Sequence, residues 1–233
     1  MTFKTNVAHY ETDYGDKILY PFSPPIFQTE VDSNFTKELI EEGRKLNIKD
    51  DDWNHKLAGN LKYGRSFIYK DNFIKKAEPY LISYVERFFD GLTKQMEIRR
   101  DNNKRNLISA IMEVCRGRQK FEEGTLKLDT LWINFSQKHD FNPPHTHSGI
   151  LSFVIFCKVP DKIFSVQADS NSQVAGNIVF ACGEQISKLH GCEYPIEPYD
   201  NLMFIFPAEL RHYVPAYWVD EERISVSGNF IVV

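Results

Sequence analysis

The sequence predicts a mainly β protein with N-terminal helices, built on a double-stranded β-helix (jelly roll) core flanked by α-helices. The apolar pattern carries this prediction. It changes from helical spacing to strand alternation near Leu126, and a series of short strands with punctuated connections follows it. Composition agrees: 14% of the residues are aromatic, with 18 Phe and 11 Tyr, which suits a β-rich core. A length of 233 residues fits one domain, with a helical N-terminal part over 1–125 and a jelly-roll core over 126–233.

In the first part, "SNFTKELIEEGRKL" offers Ser33 as a cap and repeats Phe35, Leu39 and Ile40 at helical spacing. "AEPYLISYVERFFDGLTKQM" does the same with Leu81, Tyr84, Val85, Phe88 and Phe89, and Gly91 is placed to end or weaken that helix. "NLISAIMEVCRG" reads as a third helix, stopped at Gly117. In the second part, "LKLDTLWINFS" alternates Leu131, Ile133 and Phe135 against Thr130, Trp132 and Asn134. "GILSFVIFCKV" is apolar on both faces and should be buried on both. "GNIVFAC", "NLMFIFP", "RHYVPAYW" and "RISVSGNFIVV" complete the set, divided by Gly, Pro, Asn and Asp.

The bulk numbers narrow the function. A net charge of -4 gives no general electrostatic case for nucleic acid. The basic stretch "RRDNNKRNLISAIMEVCRGRQK" has no aromatics between its charges and reads as a solvated helix face. No apolar run reaches the roughly 18 residues of a membrane span, and the N-terminus lacks the apolar core of a secretory signal. Cys115, Cys157, Cys182 and Cys192 form no CxxC pair. They read as reduced thiols of a cytoplasmic protein rather than as a Cys182–Cys192 bridge.

Chemistry concentrates in "DFNPPHTHSGILSF". Residues two apart on an extended segment share a side, so His145 and His147 can converge on one point. His212, in "FPAELRHYVP", also heads a predicted strand, and distant strands of a jelly roll become neighbours. Three imidazoles meeting in a barrel mouth would bind Fe(II), Zn(II) or Cu. A lone histidine on a strand is more often a hydrogen-bonded structural residue, and nothing near His9, His55, His139 or His190 adds chemistry. In "RISVSGNF", Arg223, Ser225, Ser227 and Asn229 share one face, which is either solvent-exposed or the lining of a wet pocket. A guanidinium with a hydroxyl two residues on makes a carboxylate clamp.

At these residues the chain resembles the 2-oxoglutarate/Fe(II)-dependent oxygenase superfamily. It is most similar to the prolyl-hydroxylase-like oxygenases of bacteria and of phages of marine cyanobacteria. The likeness runs from about Leu57 to the C-terminus and is densest after Thr130. "LWINFSQKHDFNPPHTHSG" resembles the strand delivering the proximal metal ligands, "NLMFIFPAELRHYVP" the strand of the distal histidine, and "ERISVSGNF" the arginine-x-serine strand. "ILSFVIFCKVP" resembles the family strand that often ends in Tyr-Leu, where this chain has Phe156-Cys157. "HKLAGNLKYGRSF" resembles a segment that often precedes the core in the phage members.

The resemblance implies Fe(II) on His145 and His212, with 2-oxoglutarate as co-substrate held by Arg223 and Ser225. Asn134, with Trp132, would line the pocket. It further implies dioxygen and a small-molecule or peptide substrate, hydroxylation coupled to loss of carbon dioxide and formation of succinate, and, for a phage-encoded chain, the host cytoplasm. The departure is His147, where most of the superfamily has Asp or Glu. His147 either completes a three-histidine site or stands aside and leaves an open position. A neutral ligand there leaves one more positive charge on the centre. Asp140 and Glu209 are weaker candidates for the missing carboxylate, without same-face spacing to His145. Two other readings remain. A cupin-type three-histidine metalloprotein, such as a thiol dioxygenase, would want a Glu after H-x-H that "HTHSGILSF" lacks. A non-enzymatic structural module of a virion would use metal for stability only.

Overall fold

Two antiparallel sheets face each other, and helices cover the outer face of the larger one. The computed structural model describes residues 8–20, 24–59, 61–97, 125–166, 174–184 and 191–233. The predicted helix at "NLISAIMEVCRG", the basic stretch around it, Cys115 and His190 lie outside these residues. The strands are β1 (Ala8–Glu11), β2 (Lys17–Tyr20), β3 (Ile26–Glu30), β4 (Arg65–Ile68), β5 (Leu126–Ser136) and β6 (Asn142–His145). They continue with β7 (Leu151–Lys158), β8 (Ile178–Ala181), β9 (Glu193–Ile196), β10 (Leu202–Pro207), β11 (Arg211–Val214) and β12 (Arg223–Val232). The large sheet runs β1-β2-β3-β10-β7-β12-β5-β4 and the small one β6-β11-β8-β9, the two walls of a jelly roll.

The part before residue 125 is only partly helical. It holds α1 (Ser33–Arg44), a short turn of helix α2 (Ile48–Asp51) and α3 (Asp71–Glu97), but also β1 to β4, which extend both ends of the large sheet. β3 pairs with β10, Phe27 opposite Ile205, and β4 pairs with β5, Phe67 opposite Ile133. Runs of four or five residues are too short for periodicity to announce them, and the pairing partner decides their state. α1 is capped one residue earlier than predicted: the Asp32 carboxylate accepts the Asn34 N–H at 2.8 Å. α3 begins at Asp71, carries Pro79 inside it and runs through Gly91. That glycine lets the β1–β2 hairpin lie close, since a Cβ there would come within 2.8 Å of Ile18 and Thr12. None of the described helices is long and apolar enough to cross a membrane.

Strand alternation divides the interior. Leu131, Ile133, Phe135, Ile155 and Val226 face the helices and pack with Leu39, Leu81, Val85, Phe88 and Phe89. Full burial of such a side chain contributes about 1.5–3 kcal/mol, so this layer makes a firm back to the sheet. The opposite faces of the same strands look into the roll. There β7 and β10 supply Val154, Phe156, Leu202, Phe204 and Phe206, which pack on Ile178 and Phe180 of β8. β5 and β12 supply Trp132, Asn134, Arg223, Ser225 and Ser227. One half of the roll is filled with aromatics and the other half is a polar cavity.

Asp140 ties the corner beside that cavity together. Its buried carboxylate accepts backbone N–H groups from Tyr63 at 3.1 Å, Gly64 at 2.8 Å and Gln137 at 2.8 Å, joining the approach to β4 to the β5–β6 turn. Hydrogen bonds to a charged group contribute about 1.5–3 kcal/mol each and are not additive. Asp140→Ala is therefore expected to lower unfolding stability by about 3 kcal/mol in urea titrations, since three backbone donors lose one acceptor. A loss below about 1 kcal/mol would contradict this structural role.

Candidate metal centre

Strand pairing brings the predicted histidines together. His145 is the last residue of β6, and His212 of β11 stands directly opposite it in register. His147 lies beyond the strand end, where its N–H donates to the Ala208 carbonyl at 2.8 Å and fixes the loop to the β10–β11 turn. The ring centroids are 4.4 Å apart for His145 and His212, and 5.0 Å apart for His147 and either partner. One nitrogen from each ring lies within 4.8 Å of the others.

Hydrogen bonding selects which nitrogens are free. His145 Nδ1 lies 2.7 Å from the Pro143 carbonyl and His212 Nδ1 lies 3.0 Å from the Leu210 carbonyl. A carbonyl can only accept, so both Nδ1 atoms carry the proton and both Nε2 lone pairs are left for a metal. His147 Nε2 is 3.1 Å from His212 Nε2. Two nitrogens about 2.1 Å from one metal and at right angles stand about 3.0 Å apart, so this spacing fits adjacent coordination positions. Burial lowers all three imidazole pKa values. For His145 the Pro143 carbonyl opposes the shift, for His147 the value falls to about 4 with His145 contributing, and His212 is pushed well down by burial and then by both neighbours. Neutral imidazoles in this number suit Fe, Zn, Cu or Ni, so the residues fit a metal.

The same cavity, of about 240 Å³, is lined by His145, His147, His212, Trp132, Asn134, Arg223, Ser225 and Ser227. All the predicted site residues meet there. Arg223 is only 5% exposed although β12 lies near the end of the chain, because β12 is a central strand between β7 and β5. Its Nε has no hydrogen-bond partner, and no carboxylate pairs with it among the described residues. The guanidinium carbon lies 5.0 Å over the Phe156 ring. Burial pulls its pKa down to about 10, with Tyr217 opposing, so it stays charged at neutral pH. Asn229, on the same face, does not line the cavity. It is buried between Ser152, whose hydroxyl donates to it at 2.7 Å, and Thr130 at 3.1 Å.

Neither carboxylate weighed for the metal joins the cluster. Asp140 is taken by the three backbone N–H groups described above, and Glu209 is exposed beside a separate recess with Arg211 and Cys182. His55 stays at the surface 3.6 Å from Asp52, and His139 stacks edge-on with Tyr63 and Trp218. Two further contributors lie in "HKLAGNLKYGRSF", a segment whose likeness to the phage members assigned no role to its residues. Ser66 on β4 donates to Asn134 Oδ1 at 2.7 Å, and the segment Lys56–Gly59 lines the mouth. Both come from far upstream, and only the pairing of β4 with β5 reveals them.

Residues 130–229 match a family described as "Putative 2OG-Fe(II) oxygenase", a span that begins in β5, ends in β12 and contains all six predicted site residues. No curated protein matches the chain. Among solved structures, a Pseudomonas putida prolyl-4-hydroxylase is 12% identical, with 88% of this chain and 91% of that chain covered and a TM-score of 0.47. The viral collagen prolyl hydroxylase of Paramecium Bursaria Chlorella virus-1, in a 2-oxoglutarate complex, is 8% identical over 88% and 94% of the two chains, with a TM-score of 0.45. HygX from Streptomyces hygroscopicus, with nickel and 2-oxoglutarate bound, is 7% identical over 89% and 83%, with a TM-score of 0.48. Likenesses this distant add nothing to the site, which rests on the family match and its own geometry. That match covers less than half of the chain, and it favours the oxygenase reading over the cupin and virion-module readings.

The lowered imidazole pKa values have a consequence for the metal-free protein. An unfolded histidine titrates near about 6.5, so below that the unfolded chain takes up protons that the folded one refuses. The contribution to stability is complete above about pH 6.5 and is lost as pH falls through about 4 for His147. Urea midpoints of chelator-treated protein should fall over this interval, and His147→Gln should show a shallower fall. Equal slopes for the two proteins would contradict the burial argument.

Proposed function

We propose that this oxygenase holds Fe(II) on His145, His147 and His212, seats the distal carboxylate of 2-oxoglutarate on Arg223 and Ser225, and hydroxylates a small molecule or peptide with dioxygen. Residues 1–233 act as one domain, because β3 and β4 complete the sheet that carries the site. The observation that carries the reading is Arg223, a buried, unpaired guanidinium facing the same cavity as three converging imidazoles. A buried cation without a counter-charge costs several kcal/mol unless a ligand supplies it.

The chain's own groups divide the work. Asn134 Nδ2 donates to Ser225 Oγ at 3.4 Å, so that oxygen accepts and its own proton is free to donate to a carboxylate. Ser66 in turn donates to Asn134 Oδ1 and fixes the amide's orientation. Arg223 supplies the paired donors, and the Phe156 ring beneath it keeps the guanidinium dry without taking its hydrogen bonds. Phe156 stands where the resembling strand often has Tyr, so this chain has no phenol there to share the anion. Trp132 lies 5.5 Å from the His147 ring and walls the metal side. Fe(II) with 2-oxoglutarate, when bound, supplies oxidative decarboxylation to succinate coupled to oxygen insertion into a substrate C–H bond. Cys157, Cys182 and Cys192 are free thiols, which suits work in the cytoplasm.

Fe(II)-loaded protein should consume 2-oxoglutarate slowly without substrate. Arg223→Ala should cut that turnover by about tenfold or more while retaining metal, since orientation of the keto acid is lost. Its fold should survive, because the variant also removes an uncompensated buried charge. His212→Ala should lose both metal and turnover. Succinate production by Arg223→Ala at the wild-type rate would end the clamp assignment.

A further inference from the structure

The mouth of the cavity is built by a segment that the metal centre does not use. Lys56, Leu57, Ala58 and Gly59 line it. The root of the segment is fastened to β4: Asp52 bridges Phe67, the Trp53 N–H donates to the Ser66 carbonyl at 2.9 Å, and the Ser66 N–H donates to Asn54 Oδ1 at 2.6 Å. The far end abuts β6, where a Cβ on Gly59 would come within 2.3 Å of Asn142 Oδ1. β4 is the edge of the large sheet and β6 the edge of the small one. The segment therefore bridges the two walls at the open end of the roll and carries Lys56 with it.

The charge around this opening is one-sided. Among the described residues no Asp or Glu lines the cavity, whereas Lys56 and Arg223 both do. Lys56 has no ion pair among the described residues. The three metal-binding candidates are neutral imidazoles, so a divalent metal would bring its whole charge into the site. Together with Arg223 and Lys56 it outweighs the two carboxylates of 2-oxoglutarate, and the substrate enters a cavity still in positive excess. The cavity is about 240 Å³ and is shared with the co-substrate, which leaves room for a small molecule.

We propose that Lys56 is a specificity-determining residue that receives a carboxylate of a small-molecule substrate at the cavity mouth. This rests on the oxygenase reading above. The bridged segment holds the ammonium at the opening, the remainder of the substrate extends inward toward the metal, and a neutral analogue lacks the contact that orients it.

The test uses protein loaded with Ni(II) and 2-oxoglutarate, which binds without turning over. The probes are free amino acids and 2-hydroxy acids, their primary amides, and N-acetylated acidic tripeptide amides, followed by calorimetry and thermal shift. At least one free acid should bind, and its amide should bind about tenfold more weakly or worse. Lys56→Glu should abolish that preference and Lys56→Arg should restore it, which a merely structural role for the exposed Lys56 would not do. Amides binding as well as acids, a preference that survives in Lys56→Glu, or no acid binding at all would each overturn the inference. Binding by the acidic tripeptides alone would overturn the small-molecule assignment and move the carboxylate to a polypeptide. A wild-type protein that fails to take up 2-oxoglutarate would overturn the oxygenase reading itself. Normal uptake with no role for Lys56 would overturn this inference alone.

Discussion

The buried guanidinium of Arg223, met by no carboxylate among the described residues, is the constraint around which the rest of the interior is arranged. A charge held away from water must be compensated. Here the compensation from within the chain is slight: one aromatic face and the hydroxyl-bearing surroundings of Ser225 and Ser227. β12 can hold such a residue because it is central, hydrogen-bonded on both sides to β5 and β7, so its backbone cannot move to let the side chain escape. The strand that keeps the cation buried is thus also the one that makes an anion welcome. On neighbouring strands the same inner wall is closed by Phe156, Phe204 and Phe206, and this contrast gives the cavity its edge.

The imidazole cluster depends on the opposite wall. β6 and β11 form one cross-strand pair with His145 and His212 in register, and the loop after β6 is tied back at His147. The small sheet therefore presents the metal candidates and the large sheet the cationic clamp, and the depth of the roll sets the gap between them. Because burial keeps the imidazoles neutral, the ligand candidates themselves offset none of a metal's charge. The electrostatics of the cavity are then decided by what enters it.

The helices matter to the chemistry at one remove. α1 and α3 pack on the outer face of β5, β7 and β12, and the alternation that gives them Leu131, Ile133 and Val226 also gives the cavity Trp132, Asn134 and Ser225. A slip of one residue in β5 or β12 would put an isoleucine in the cavity and an asparagine or arginine under the helices. The apolar layer behind the sheet is thus what fixes the register of the polar one in front.

Much of this was legible in the residues themselves. Period-two alternation in "LKLDTLWINFS" and "RISVSGNF" displays both faces of β5 and β12, and H-x-H with Arg-x-Ser names donor types suited to a metal and a carboxylate. Alternation is a local property, so sequence alone determined which side chains share a face. It could not tell that the polar face of β12 is enclosed, that Asp140 is spent on backbone N–H groups, or that "KILY" and "IFQTE" add strands to a part that reads as helical. Nor could it place Lys56 on the same cavity as Arg223. These depend on which distant segments pair, and pairing is settled by the packing of the whole sheet against its helices, not by any stretch of chain on its own.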